Sequence, residues 1–135
     1  MVLDLTAFQR ALKKLNEGLV RYQSDITDEQ IRDGLIQRFE FTYELAHKML
    51  SRYLRETAPI PDAVEELSFQ GLIRLGNDKG LLRGDWPIWS GYREMRGKTS
   101  HTYDEKIAIQ VVKGIPDFIA EIEFFLAELE TRCQN

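Results

Sequence analysis

The feature that most constrains this chain is an apolar stripe that keeps helical spacing over more than twenty residues. Between residues 31 and 53 an apolar or aromatic side chain recurs every three or four positions without an interrupting proline. The spacing puts these side chains on one face of a long helix, predicted from about Asp28 to Glu56. Its members are Ile31, Leu35, Phe39, Tyr43, Ala46, Leu50 and Tyr53.

Shorter stripes predict the helices on either side. A first helix is predicted from about Thr6 to Gln23. Residues 57–62 contain two prolines and read as a connector, since proline cannot donate to a helical hydrogen bond. A third helix follows from about Val64 to Leu75, with Gly80 as the cap beyond its end. Asp85 is the predicted cap of a fourth helix.

Two capping boxes mark helix starts. Thr27-x-x-Gln30 precedes the long second helix, and Thr102-x-x-Glu105 predicts that the last helix begins near Tyr103. The last stripe keeps its phase across Gly114 and Pro116, which predicts a kink rather than a break. We therefore expect an all-α, up-and-down bundle of four to five helices with a kinked last helix, forming one domain over residues 1–135.

The totals exclude several classes of protein. A single cysteine, Cys133, permits neither an internal disulfide nor a thiolate metal cluster. Two histidines with this one cysteine are poor zinc ligands, and we expect neither a metal ion nor another cofactor. No signal peptide or apolar run of the ~20 residues needed to span a membrane is present, and we expect a cytoplasmic protein with no membrane partner. The net charge of −4 argues against a protein that coats nucleic acid, and no DNA partner is expected.

The segment Arg93–Glu105 is the candidate functional site. Trp89, Tyr92 and Arg96 fall on one face of the fourth helix. An arginine beside aromatic surface needs a partner, either an internal acid or a bound anion. His101 follows after four residues, and an imidazole can accept the proton of a ribose 2′-hydroxyl while arginine stabilises charge on the phosphate. Such a pair could cleave RNA without a metal ion.

Other interpretations of these residues remain open. An arginine and a histidine five positions apart also occur without any function, and Arg93 is expected to form a surface ion pair. His47 is interpreted as a surface or core-edge residue, and the tryptophans Trp86 and Trp89 as core anchors. The acids Glu40 and Glu44 lie one turn apart, either as a carboxylate pair or as solvated helix acids.

The sequence resembles a known family in several separate segments. Arg96-Gly-Lys-Thr-Ser-His101-Thr-Tyr103 matches the R-x4-H-x-Y pattern of HEPN proteins, small helical bundles encoded beside minimal nucleotidyltransferases. Residues 39–45, 72–75 with 78–81, and 99–105 are similar to the branch called nucleotidyltransferase substrate-binding proteins. The resemblance covers roughly residues 5 to 130.

The resemblance implies a two-gene toxin-antitoxin module. Members with this motif are typically metal-independent endoribonuclease toxins, often homodimers or higher oligomers, with the arginine and histidine in the active site. Arg96 and His101 take those catalytic roles by resemblance. In related systems the partner nucleotidyltransferase adenylylates the motif tyrosine and so neutralises the nuclease, which by resemblance makes Tyr103 the expected acceptor. The supporting or substrate-binding residues are then Arg93, Lys98, Thr99, Ser100 and Glu44.

One position departs from the family pattern. Many HEPN nucleases carry a polar side chain directly after the motif arginine, whereas this chain has Gly97, which suits a helix C-cap. The alternative function is a non-catalytic substrate-binding or adaptor subunit of a small nucleotidyltransferase, the role for which this branch of the family was named.

Overall fold

Helices form the whole scaffold in the computed structural model, which describes residues 2–133. They are α1 (Thr6–Ser24), α2 (Glu29–Thr57), α3 (Pro61–Glu65), α4 (Phe69–Asp78), α5 (Trp86–Lys98) and α6 (Glu105–Arg132), with a 3₁₀ turn over Thr99–His101. The described range contains no strand, so the all-α bundle is confirmed, although it has six α-helices rather than four or five. None of these helices is long and apolar enough to cross a membrane.

Aromatic rings join the long helices at the centre of the core. Phe39 of α2 meets Phe118 of α6 at 4.8 Å between ring centroids. From α5, Tyr92 lies 5.2 Å from the Phe118 ring and 5.2 Å from Trp89. All four side chains are buried. Because its aromatic face is held in the core, α5 has a fixed rotation, and its last turn lies against α2.

The predicted third helix is wrong in its extent. Residues 64–75 divide between α3 and α4, and the chain turns between them. The side chain of Ser68 accepts a hydrogen bond from the backbone N–H of Gly71 at 3.1 Å, which makes Ser68 the N-cap of α4. A serine hydroxyl favours this cap over a helix interior. The apolar spacing runs through both helices and hid the boundary.

The cap predicted at Gly80 is confirmed. Gly80 has φ of +75°, and its N–H donates to the carbonyl of Asn77 at 3.0 Å. The next N–H, from Leu81, donates to the carbonyl of Gly76 at 2.9 Å. This pair of bonds is a Schellman motif, which ends α4 and turns the chain towards α5. The predicted Asp85 cap is also confirmed, since its side chain accepts from the N–H of Trp86 at 2.8 Å.

The first capping box is wrong by one residue. Asp28, not Thr27, is the N-cap of α2, and its carboxylate accepts from the N–H groups of Gln30 and Ile31 at 2.9 and 3.1 Å. Thr27 instead donates its hydroxyl to Asp25 at 2.8 Å. A carboxylate competes well with a neighbouring hydroxyl here because its negative charge also interacts favourably with the helix dipole.

The second capping box is wrong in the same way. Asp104 is the N-cap of α6 and accepts from the N–H of Lys106 at 3.0 Å. Thr102 donates its hydroxyl to a carbonyl of the 3₁₀ turn. The helix consequently begins at Glu105, two residues later than predicted. Tyr103 therefore lies in an exposed turn rather than in the first turn of a helix.

The last helix passes through Gly114 and Pro116 without a break, as the stripe predicts. Gly114 has a packing role, because a Cβ at this position would lie 2.5 Å from the Sδ atom of Met95. The missing side chain lets α5 approach α6 closely beside the segment that carries Arg96. The kink at Pro116 stays a prediction.

Candidate functional site

Arg96 projects from the last turn of α5 towards α2, with its side chain 32% exposed. Its Nη2 donates to Oε1 of Glu44 at 2.5 Å, and its Nη1 lies 3.7 Å from Oε2 of Glu40. The partner required by the aromatic surroundings is thus an internal pair of acids. The hydrogen bond from Arg96 to Glu44, with the Glu40 charge in addition, raises the pKa of Arg96.

Thr99 fixes the guanidinium from the other side. Nη1 of Arg96 donates to the Thr99 hydroxyl at 2.9 Å, and this hydroxyl donates in turn to the carbonyl of Arg96 at 2.7 Å. Thr99 is buried and is also the C-cap of α5. The Thr99 side chain therefore both ends α5 and orients Arg96. Thr99 was predicted as a supporting residue, and this is the contact it makes.

His101 and Tyr103 contact each other on the surface. The Tyr103 hydroxyl lies 3.4 Å from Nδ1 of His101, and the rings meet edge to face with centroids 5.9 Å apart. Tyr103 is 86% exposed, so its phenol oxygen is open to another protein. The structure describes no hydrogen bond to the other ring nitrogen of His101, Nε2, within residues 2–133.

The two predicted catalytic residues stand at opposite ends of a short segment. Arg96 contacts α2 and Thr99, whereas His101 ends the 3₁₀ turn and contacts Tyr103. Among the described side chains no hydrogen bond joins Arg96 to His101. Their shared concave corner and their joint action therefore stay a prediction, as does any catalytic role.

The ion pair predicted for Arg93 is wrong. Its guanidinium lies over the ring of Phe69 on α4, 5.6 Å from the centroid, and within residues 2–133 it pairs with no acid. The side chain points towards an aromatic surface that spacing along α5 does not reveal. His47 packs on the same ring at 4.7 Å, in line with its interpretation as a core-edge residue. Of the two tryptophans, Trp89 is buried and Trp86 half-buried.

The remaining motif side chains make local contacts. Lys98 pairs with Glu94 at 3.3 Å and donates to Gln110 at 3.4 Å. Ser100 donates to the carbonyl of Gly97 at 3.3 Å. Their roles towards a substrate stay predictions. Across residues 2–133, no three His, Cys, Asp or Glu side chains come together as a metal site would require.

Gly97 is not the C-cap that the sequence suggested. It lies inside the last turn of α5, which continues to Lys98 and is capped by Thr99. Gly80 is the described glycine with positive φ, so Gly97 has ordinary helical geometry. A Cβ at Gly97 would meet nothing within 4 Å. A polar side chain at this position would therefore extend into open space beside Arg96.

Sequence reasoning missed a groove next to this site. Its volume is about 550 Å³, and it lies between α1 and α2. Glu44, the partner of Arg96, is in its wall together with Lys48 and the exposed ring of Phe41. The sequence feature that could have predicted this groove is Phe41, an aromatic residue whose position in α2 lies outside the buried apolar stripe.

Comparison with known proteins places these features in a family. Residues 3–131 match the sequence model of a protein family whose description is "Nucleotidyltransferase substrate binding protein like". A Haemophilus influenzae protein named "Probable ribonuclease HepT" is 40% identical over 140 residues, covering 98% of this chain and 95% of that protein.

Two solved structures are similar in fold and sequence. One is a Haemophilus influenzae protein whose structure is described as revealing the fold of a substrate binding domain of a nucleotidyltransferase. It superposes with a TM-score of 0.87 at 35% identity, over 94% of this chain and 99% of that one. A protein from Thermus thermophilus gives a TM-score of 0.73 at 34% identity, over 90% of this chain and 98% of that one.

Proposed function

The chain belongs to the nucleotidyltransferase substrate-binding family of HEPN proteins, and from this premise we propose that it is a metal-independent endoribonuclease controlled by a small nucleotidyltransferase. The observation that carries the proposal is the arrangement of Arg96 and His101. Glu44 and Thr99 hold the arginine in one orientation, and the histidine stands exposed at the end of the adjoining 3₁₀ turn. The module is of the toxin-antitoxin type.

The chemistry is an internal transesterification of RNA. His101 accepts the proton of a ribose 2′-hydroxyl, the 2′-oxygen attacks the adjacent phosphorus, and the bond from phosphorus to the 5′-oxygen breaks. The leaving 5′-oxygen takes up a proton from water, His101 returns its proton to the solvent, and the other product end is a 2′,3′-cyclic phosphate. Arg96 stabilises the charge that develops on the phosphate oxygens. Its five N–H donors allow it to contact phosphate while Thr99 and an acid keep it oriented.

Tyr103 is the proposed point of control. Its phenol oxygen is exposed and lies beside the imidazole of His101. A nucleotidyltransferase would join this oxygen to the α-phosphorus of ATP and release pyrophosphate. The AMP group adds bulk and negative charge where the substrate phosphate must lie, so it repels RNA from His101.

Cleavage of RNA in excess EDTA tests the nuclease proposal. We expect the purified unmodified chain to leave 2′,3′-cyclic phosphate ends, and His101→Ala to lower the rate by about 10²- to 10⁴-fold, the usual contribution of a general base. Lys106→Ala removes an exposed side chain five positions further on and should cleave like the wild type. Cleavage by His101→Ala at the wild-type rate would remove the assigned role.

A second candidate function is a non-catalytic subunit that presents substrate, or itself, to the nucleotidyltransferase. The specific observation in its favour is that Glu40 and Glu44 balance the charge of Arg96, while Gly97 supplies no side chain next to it. This function predicts a stable complex with the nucleotidyltransferase and no cleavage by the wild-type chain. Wild-type cleavage that depends on Arg96 and His101 would exclude it.

A further inference from the structure

Two grooves beside Arg96 share part of their walls. The first, of about 550 Å³, runs between α1 and α2, and the second, of about 410 Å³, continues along α2. Both are lined by Glu44 and Lys48, so they join next to the carboxylate that binds Arg96. We call the joined grooves the basic track, after the basic residues in their walls. These are Arg10, Lys14, Arg38, Lys48, Arg52 and Arg55.

The basic track is strongly positive on a chain whose net charge is −4. Its walls contain six basic residues and one acid, Glu44, which is already engaged by Arg96. Arg55 pairs with Glu65 at 2.7 Å. No acid within residues 2–133 forms an ion pair with the other five. Positive charge concentrated in a groove and left unbalanced by acids attracts an anionic ligand.

An aromatic ring lies within the same track. Phe41 is 55% exposed, although its neighbour Phe39 on α2 is fully buried. Lysine and arginine side chains without acidic partners, placed around an exposed aromatic ring, are suited to bind single-stranded nucleic acid. Its bases stack on the ring, and its phosphates pair with the basic side chains. Phe41 precedes Glu44 by three residues, so the two lie on neighbouring turns of one helix face. A base on Phe41 would be one turn from the partner of Arg96.

We propose that the basic track binds single-stranded RNA next to the cleavage site, with an unpaired base stacked on Phe41 and phosphates paired with Lys14 and Lys48. This inference rests on the proposed function, which makes RNA the substrate. Duplex RNA keeps its bases inside the helix and cannot use Phe41, so the track should select single strands. The track would thereby set substrate preference, while Arg96 and His101 perform the chemistry.

A second copy of the chain fits this surface less well. A two-fold symmetric dimer that paired the track with itself would place its unpaired lysine and arginine side chains against the same side chains of the second copy. Like charges brought together across an interface are costly. An RNA strand supplies the opposite charge at every phosphate.

Binding in a cleavage-deficient background tests the track. In His101→Ala protein, fluorescence anisotropy with a short labelled single-stranded RNA should show that Phe41→Ala weakens binding about fivefold or more. Phe41→Tyr keeps the ring and should stay within about twofold of the parent. The same sequence as a duplex should bind more weakly to the parent and lose little in Phe41→Ala.

The charge in the track has a matched control on α1. Lys14→Gln should lower the slope of log K against log salt by about 0.7, the loss of one phosphate contact to a single strand. Lys13→Gln makes the same change one residue away, outside the groove, and should leave the slope unchanged. Equal effects of Lys13→Gln and Lys14→Gln would overturn the track in favour of bulk charge.

Two further outcomes would overturn the proposal that the basic track binds single-stranded RNA. Unchanged affinity in Phe41→Ala would remove the stacking site, and dissociation of an oligomer by Phe41→Ala in sedimentation would assign the surface to a second copy of the chain. Because the RNA stays uncut in these measurements, failure of the track leaves the cleavage assay as an independent result. Conversely, a wild-type chain that binds RNA through Phe41 and cuts none would retain the track and lose the nuclease.

Discussion

An arginine and a histidine, Arg93 and His47, share the ring of Phe69, and this contact yields a prediction at the scale of single residues. Burial lowers the pKa of His47, and the positive charge of Arg93 lowers it further. We therefore expect Arg93→Gln to raise the pKa of His47, measured by NMR titration with His101→Ala to assign the two histidines. Arg83→Gln removes an arginine that lies over a different ring, Phe124, and serves as the control.

The lowered pKa of His47 also makes the free energy of unfolding depend on pH. Since the folded chain holds His47 with a pKa below that of the unfolded chain, the unfolded chain binds more protons on acidification. The contribution of His47 to stability is complete above the unfolded value of about 6.5 and declines as the pH falls through it. An identical His47 titration in wild type and Arg93→Gln would show that the Arg93 charge does not reach the imidazole.

Sequence reasoning found the motif residues but not their contacts. Spacing along α5 showed that Arg96 needs a partner, and helix periodicity alone cannot say which distant residue supplies it. Glu44 lies 52 positions away in sequence and meets Arg96 only because the fold brings the last turn of α5 beside α2. Arg93 illustrates the same limit, since its aromatic partner Phe69 belongs to another helix.

At the scale of helices, the glycine that ends α4 can be tested against one inside α5. Gly80 has φ of +75°, where a residue with a Cβ is strained, so Gly80→Ala should lower the free energy of unfolding by about 1–2 kcal/mol. Gly91 lies in α5, and a Cβ there would meet nothing within 4 Å. Gly91→Ala should instead raise stability by about 1 kcal/mol, the difference in helix propensity.

Urea denaturation of both variants measures these opposite signs. A Gly80→Ala variant as stable as wild type would mean that the Schellman turn relaxes at no cost. Local capping chemistry was only partly predictable, since the caps at Gly80 and Asp85 follow the prediction and those of α2 and α6 do not. Aspartate caps α2 and α6 where threonine was expected, because adjacent polar residues compete for the same N–H groups.

At the scale of the whole molecule, the bundle was predictable because burial of apolar stripes decides it. The stripes of α1, α2 and α6 supply most of the buried core and are readable from the sequence. The basic track was not readable in this way. It combines α1 residues with α2 residues, and their approach follows from the packing of two helices rather than from any local pattern.

The whole molecule leaves Tyr103 exposed at the turn before α6, which makes control by a second enzyme testable. We expect coexpression with the cognate nucleotidyltransferase to increase the intact mass by one or more AMP groups and to suppress RNA cleavage. Tyr103→Phe should abolish the added mass, because the phenol oxygen is the only atom removed. Tyr22→Phe makes the same change at a half-buried tyrosine on α1 and should leave the modification intact. AMP carried by Tyr103→Phe would place the acceptor elsewhere, and modified protein that cleaves RNA at the unmodified rate would separate the modification from control of the nuclease.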